Sequence, residues 1–232
     1  YKLKKMEFNL FTFVFLFAIL TSVLALLWLN FRQDKAINNS FNAVPDGFSE
    51  SIKLEDHQKA GNYTKAKLLL NHFEIIFSTI ILLVWTLGGA MNSLDSYWRL
   101  RILDDEVLMG TVFVLSIMLI ASLIDLPFSI YRTFVLEQKF GFNRMTIQTF
   151  IGDLFKEIVL TLVLMLPLIY GILFLMNNIE AIGNYWWIYV WVIISLFILI
   201  MMWVYPSYIA PIFNKFNPLD NEILKSRITS LL

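Results

Sequence analysis

Ile158–Ile179 reads IVLTLVLMLPLIYGILFLMNNI, 22 residues without one charged side chain. As a helix it is about 33 Å long, enough to cross a bilayer core of about 30 Å. Four further stretches are charge-free in the same way: Phe8–Leu29, Ile75–Leu94, Val107–Ile124 and Ala181–Asn214. The reading is an all-α integral membrane protein with spans of about 8–29, 75–94, 107–126, 158–179 and 185–205, joined by polar segments that include cytoplasmic amphipathic helices. The fourth and fifth stretches nearly touch, so Glu180 and Gly183-Asn184 mark a tight hairpin. Ala181–Asn214 is too long for one span, and Pro206, which cannot donate to the helix ladder, is expected to end it near Tyr205. Trp186, Trp187, Tyr189 and Trp191 lie at one end of it, with Trp203, Tyr205 and Tyr208 at the other. Amphipathic rings at both ends match the two bilayer interfaces.

Composition agrees. Hydrophobic residues make up 58% of the 232 and charged residues only 16%, against about half and about a quarter in a soluble domain. A net charge of zero gives no electrostatic ground for a nucleic-acid partner. With no cysteine, disulfides, thiolate nucleophiles and Cys-ligated metals are excluded. The first apolar run is longer than a signal-peptide core and no small-x-small cleavage site follows, so it reads as an anchor. Lys and Arg distribute unevenly across the flanking segments, five on one set and thirteen on the other. The positive-inside rule puts the richer set, Asn30–Glu74, Leu126–Glu157 and the segment after the fifth span, in the cytoplasm. The N-terminus is then outside and the C-terminal end cytoplasmic.

The polar segments carry the candidate chemistry. Pro45-Asp46-Gly47 is a turn, and Leu54, Ala60, Tyr63, Ala66 and Leu70 outline a cytoplasmic helix feeding the second span. His57 and His72 stand fifteen residues apart with no HExxH around either, a spacing of surface histidines rather than of zinc ligands. Asp104, Asp105 and Glu106 are consecutive, so they read as a solvated helix start and not as an acid/base pair. In Leu126–Glu157, Pro127 is expected to end or kink the third span, and Gly141-Phe142-Asn143 to break the chain. Ile147, Phe150, Ile151, Leu154, Phe155 and Ile158 then form one apolar helical stripe, the pattern of an amphipathic helix on a membrane surface or facing a wet chamber. Phe150, Leu154 and Phe155 are expected to pack inward, and Arg144 and Lys156 to stay wet. Asp125 ends the third span. It is either a functional intramembrane carboxylate or a side chain at headgroup level. Asp220 is placed to cap a final helix with Leu224 and Ile228 on its apolar side.

Three separated segments resemble one family. Leu126-Pro127-Phe128-Ser129-Ile130-Tyr131, Thr133–Glu137 and Phe140–Asn143, with Thr146 and Asp153, look like the loop of the type I CAAX prenyl proteases, which are membrane-embedded zinc metallopeptidases. Tyr205-Pro206 with Ile209–Phe216 and Pro218-Leu219 resembles the segment where that family leaves its fifth span. Leu54–Ala60 with Tyr63–Lys67 is similar to the first cytoplasmic loop of bacterial members, which favours a bacterial inner membrane over the endoplasmic reticulum. The resemblance implies a seven-span helical barrel around a hydrated chamber, with zinc held by HExxH and a distal Glu beyond residue 232. On that view residues 1–216 are the N-terminal membrane domain, and 217–232 begin a cytoplasmic zinc-peptidase domain that is cut off within an element. It implies three partners: the bilayer, that peptidase domain, and a peptide or protein substrate, prenylated or otherwise membrane-bound. No catalytic residue and no zinc ligand carries over onto this chain. Asp125, Glu137, Asn143 and Arg144 are the candidates for lining the chamber. From the residues alone, a small transporter or channel subunit is the competing reading, although no pair of interrupted, symmetry-related spans supports it. A catalytically dead scaffold is the third.

Overall fold

The structure is a computed structural model that describes residues 9–216 and 221–230. Among them the regular elements are helices: α1 (Leu10–Ser40), α2 (Leu54–Thr86), α3 (Ala90–Arg99), α4 (Glu106–Phe140), α5 (Ile147–Asn177), α6 (Trp186–Phe213) and α7 (Glu222–Thr229). Five of these, α1, α2, α4, α5 and α6, are long and apolar enough to cross a membrane. Their side chains are largely open to the surroundings. Phe17, Trp28, Val163, Leu199 and Met202 all stand exposed. Water would not tolerate so much continuous apolar surface, whereas lipid is its natural solvent.

The chain divides into two units at Ile147/Gln148. In the first, α1 and α2 form an antiparallel pair. Asn30 meets Asn71 and, ten residues further along α1, Ser40 meets His57. Gly61 allows the close approach there, because a Cβ on it would sit 3.3 Å from the Phe41 ring and 3.4 Å from Ile37. His57 Nε2 lies 2.8 Å from the Ser40 carbonyl at the C-terminal end of α1, which also accepts from the Ala43 N–H at 3.4 Å. The α2–α4 pair is also antiparallel: Glu74 meets Arg132, Phe77 meets Phe128 and Tyr63 meets Phe140. Between them α3 turns back on α4, where the Trp98 indole donates to Ser116 Oγ at 3.0 Å. On α3 the Asp95 carboxylate, by hydrogen bond first and by charge, raises the Arg99 guanidinium above its ordinary value. Asp105 caps α4 by accepting from the Leu108 N–H at 2.8 Å, the helix-start role expected of this acidic run. In the second unit α5 and α6 are joined through the single turn Ile179–Ile182 and Gly183, whose φ of +81° suits glycine.

Several expected boundaries are corrected. The amphipathic stripe from Ile147 is not a separate surface helix; it is the first turns of α5, continuous with the fourth span. Its residues split, with Ile147, Ile151 and Phe155 exposed while Phe150, Leu154 and Ile158 are half-buried. The inward packing of Phe155 is therefore wrong, since this side chain is 68% exposed. Pro127 does not end the third span. The helix runs past it, widens to a π turn over Arg132–Glu137, and stops at Gly141 with φ +79°. Likewise α6 absorbs Pro206 in a π turn, Tyr205–Ile209, and continues to Phe213. A π turn is a known way for a helix to accommodate a break in its ladder without stopping. Lys156 is not simply wet: its ammonium pairs with Asp153 at 3.0 Å and donates to the Ile212 carbonyl at 3.1 Å. The cap expected from Asp220 falls outside the described residues; the described cap of α7 is Asn221, which accepts from Leu224 N–H at 3.0 Å.

Candidate functional site

The four residues singled out in the sequence do not share one site. Glu137, Asn143 and Arg144 belong to the turn that ends α4. The Glu137 carbonyl accepts from the N–H groups of Phe142 at 2.9 Å and Asn143 at 3.3 Å, which ties the turn back onto the π segment. The Asn143 amide donates to Gln138 Oε1 at 2.9 Å, and its oxygen accepts from the Met145 N–H at 2.7 Å. Asn143 is thus an organiser of the turn. The Glu137 side chain is half-buried and Arg144 is exposed. Phe140 and Phe142 flank Tyr63 of α2 edge-on, at 5.3 and 4.9 Å, with the Lys59 ammonium 5.7 Å from the Phe142 ring. This aromatic stack fixes the turn against the polar half of α2.

Asp125 sits twelve residues back on α4, about 18 Å along the axis, and works in a different place. It lines a groove of about 500 Å³ between α2 and α4, together with Asn71, Glu74, Ser78 and Arg132 at its polar end. Glu74 and Arg132 form an ion pair across the groove although 58 residues separate them. Asn71 also donates to the buried Asn30 of α1 at 3.3 Å, and Asn30 Nδ2 is left without a partner. Sequence reading missed Glu74, Asn71 and Arg132 as a site. A signal was present: Lys67, Asn71, Glu74 and Ser78 follow one another at spacings of four, three and four, a polar stripe running into an apolar helix.

The described residues hold no cluster that fits zinc. Among the described residues no three His, Cys, Asp or Glu side chains cluster as a metal would require. His57 and His72 each face a backbone carbonyl, the latter that of Leu68 at 2.7 Å, and they lie fifteen residues apart. No step through zinc can be built on them.

Five apolar helices, polar ends continuous with the spans, and a charged groove between two of them define a multi-pass helical membrane protein. The family profile described as CAAX prenyl protease N-terminal, five membrane helices, matches residues 33–215, and the chain belongs to that family. The CAAX prenyl protease 1 homolog of Caenorhabditis elegans is 33% identical over 204 residues, which cover 88% of this chain and 44% of that protein. The Arabidopsis thaliana homolog is 36% identical over 217 residues, with 88% and 48% covered, and the human one 30% over 214, with 87% and 44%. The crystal structure of Ste24p from S. mikatae superposes with a TM-score of 0.81 at 26% identity, over 92% of this chain and 50% of that one. The chain therefore spans about half the length of the curated relatives it matches.

Proposed function

We propose that this chain forms the membrane-embedded half of a zinc metalloendopeptidase that cleaves prenylated CAAX-type or other membrane-associated protein substrates. The carrying observation is the family match over residues 33–215, joined to relatives named CAAX prenyl protease 1 of which the chain spans about half. On this reading residues 1–216 supply the membrane domain and 217–232 lead into the peptidase part. On this reading the zinc ligands and the hydrolytic Glu belong to the remainder of a protein of the relatives' length, which this chain spans by about half. Asp125, Glu137, Asn143 and Arg144 are assigned to substrate contact on the cytoplasmic side. That side follows from the Lys/Arg count of five against thirteen. The expectation of a bacterial inner membrane rests on the Leu54–Lys67 likeness alone, and the relatives named above are eukaryotic.

The test fuses this chain to the peptidase half of a relative and measures cleavage of a prenylated CAAX peptide, beside the chain alone. Cleavage by the fusion that a zinc chelator abolishes, with none by the chain alone, is the expected result. Cleavage or stoichiometric zinc retention by the 232-residue chain alone refutes the division of labour. A fusion that folds but neither binds zinc nor cleaves points to the scaffold reading instead. Orientation is read separately with Asn42→Cys and Asn184→Cys, since the chain has no native cysteine. Position 184 should react with an impermeant thiol reagent in intact cells and position 42 should not; the opposite pattern reverses the topology.

A further inference from the structure

We propose that the α2–α4 groove is a phospholipid site that selects a primary-ammonium headgroup, the phosphatidylethanolamine class. The inference needs the groove and the membrane setting only; at Asp125 the lipid headgroup takes the place that the proposed peptidase function gives to substrate. The groove has two chemically distinct kinds of lining. Its walls are apolar, with Ile81, Leu82, Trp85 and Ile117 among them, and it opens to the surroundings. Its lining also holds Glu74 and Arg132, paired across it, and Asp125 two turns from Arg132 on α4. An apolar channel that carries charged groups is complementary to an amphiphile.

The charges decide which one. Glu74 is paired with Arg132, while Asp125 is exposed and has no hydrogen-bond or ionic partner among the described residues. The charged side chains of the groove are thus two carboxylates and one guanidinium, a net charge of −1. A purely anionic headgroup meets repulsion there. A headgroup with a cation satisfies Asp125, and an unpaired carboxylate beside lipid-facing walls is costly enough to favour that occupant. Arg132 has five N–H donors, of which the Glu74 contact engages Nη2, and its side chain is 44% exposed. Its free donors suit a phosphate oxygen. Asp125 and Arg132 are seven residues apart, two turns on one face of α4 and about 10 Å along the axis, which the arginine stem can bridge. The ammonium then goes to Asp125 and the phosphate to Arg132. A carboxylate accepts hydrogen bonds, so an ammonium with three N–H donors outcompetes a quaternary ammonium with none.

The experiment reconstitutes the 232-residue chain in an equimolar mixture of phosphatidylethanolamine, phosphatidylcholine and phosphatidylglycerol and reads retained lipid by native mass spectrometry. Phosphatidylethanolamine should be enriched about tenfold over phosphatidylcholine, the equivalent of one charge-assisted hydrogen bond. Asp125→Asn should erase the enrichment and Asp125→Glu should keep it. Ala121 also lines the groove, so Ala121→Trp should displace the lipid by filling the channel while leaving every charge in place. Circular dichroism and thermal unfolding report whether each variant is folded, and Ala121→Trp decides the matter should Asp125→Asn fail that check. Equal retention of the three lipids, a preference for the anionic one, or an enrichment that survives Asp125→Asn or Ala121→Trp overturns the proposal.

Discussion

Arg132→Met removes the cation that fastens the π segment of α4 to α2. The cost follows from who is left behind. Glu74, with a side chain 24% exposed, is the more enclosed member of the pair, and Arg132 is 44% exposed. Exposed pairs are worth about 0.2–1 kcal/mol, while stripping one partner from a buried pair costs about 3–5 kcal/mol. Partial exposure places Arg132→Met between these limits, at about 2 kcal/mol, and Asp125 in the same groove adds a second uncompensated carboxylate. Glu74→Gln should cost less, about 1 kcal/mol, because a long arginine can reach water or headgroups. The double variant removes both charges and should recover part of the loss. For a chain of this size 1 kcal/mol is about 2–4 °C in Tm. Thermal unfolding in one lipid nanodisc composition should show drops of about 4–8 °C for Arg132→Met, about 2–4 °C for Glu74→Gln, and no more than the latter for Glu74→Gln/Arg132→Met. A double variant whose drop equals the sum of the singles would mean that the two side chains stabilise the fold independently, and the ion-pair argument fails.

Asn71→Leu should cost about 1–2 kcal/mol, because it leaves the buried Asn30 side chain with no polar partner, whereas Asn30→Leu/Asn71→Leu should melt no lower than the parent chain in the same assay. Gly141→Ala should lose about 1–2 kcal/mol through its φ of +79° alone, since nothing lies within 4 Å of the added Cβ; Gly141→Asn should lose less in the same unfolding measurement. Lys156→Met should cost up to about 1 kcal/mol, the worth of a side chain 42% exposed that loses Asp153 and the Ile212 carbonyl. It should also speed trypsin cleavage after Lys215, three residues past the released carbonyl, and an unchanged cleavage rate would show that Lys156 does not hold this end of α6.

The spans were legible because hydropathy over about twenty residues reports directly on the solvent that a helix needs. Their ends were not. Hydropathy marks where lipid stops, while the backbone hydrogen-bond ladder continues through Arg32, Asp34 and Lys35 of α1 and through the whole polar start of α2. Once nucleated, a helix extends at little cost until a residue forces it to stop. Gly141 and Gly183, at positive φ, are such residues and were legible; Pro127 and Pro206 are not, since the helix runs on past Pro127 and takes up Pro206 within a π turn. Of the candidate site, Asp125 was visible as a charge in the wrong solvent. Its neighbours Glu74 and Arg132 were not visible as a pair, because nothing local in one sequence joins residues 58 apart.

That misplaced boundary matters for how the chain can act. Read as loops, Glu137, Asn143 and Arg144 would be free to move relative to Asp125. Observed as the end of one continuous helix, Glu137 is held about 18 Å from Asp125, and the turn after it is clamped on Tyr63 of α2 by two aromatic rings. The same α2 carries Glu74, eleven residues from Tyr63 and about 16 Å along the axis, paired with Arg132. Two antiparallel helices tied at both points form a ladder with its rungs at set distances. A ligand that touches the groove and the turn together must therefore be extended over about 18 Å. A compact one must choose between the groove at Asp125 and the polar turn at Asn143. Groove and turn are two stations on one rigid strut, with their spacing set by the α2–α4 contacts.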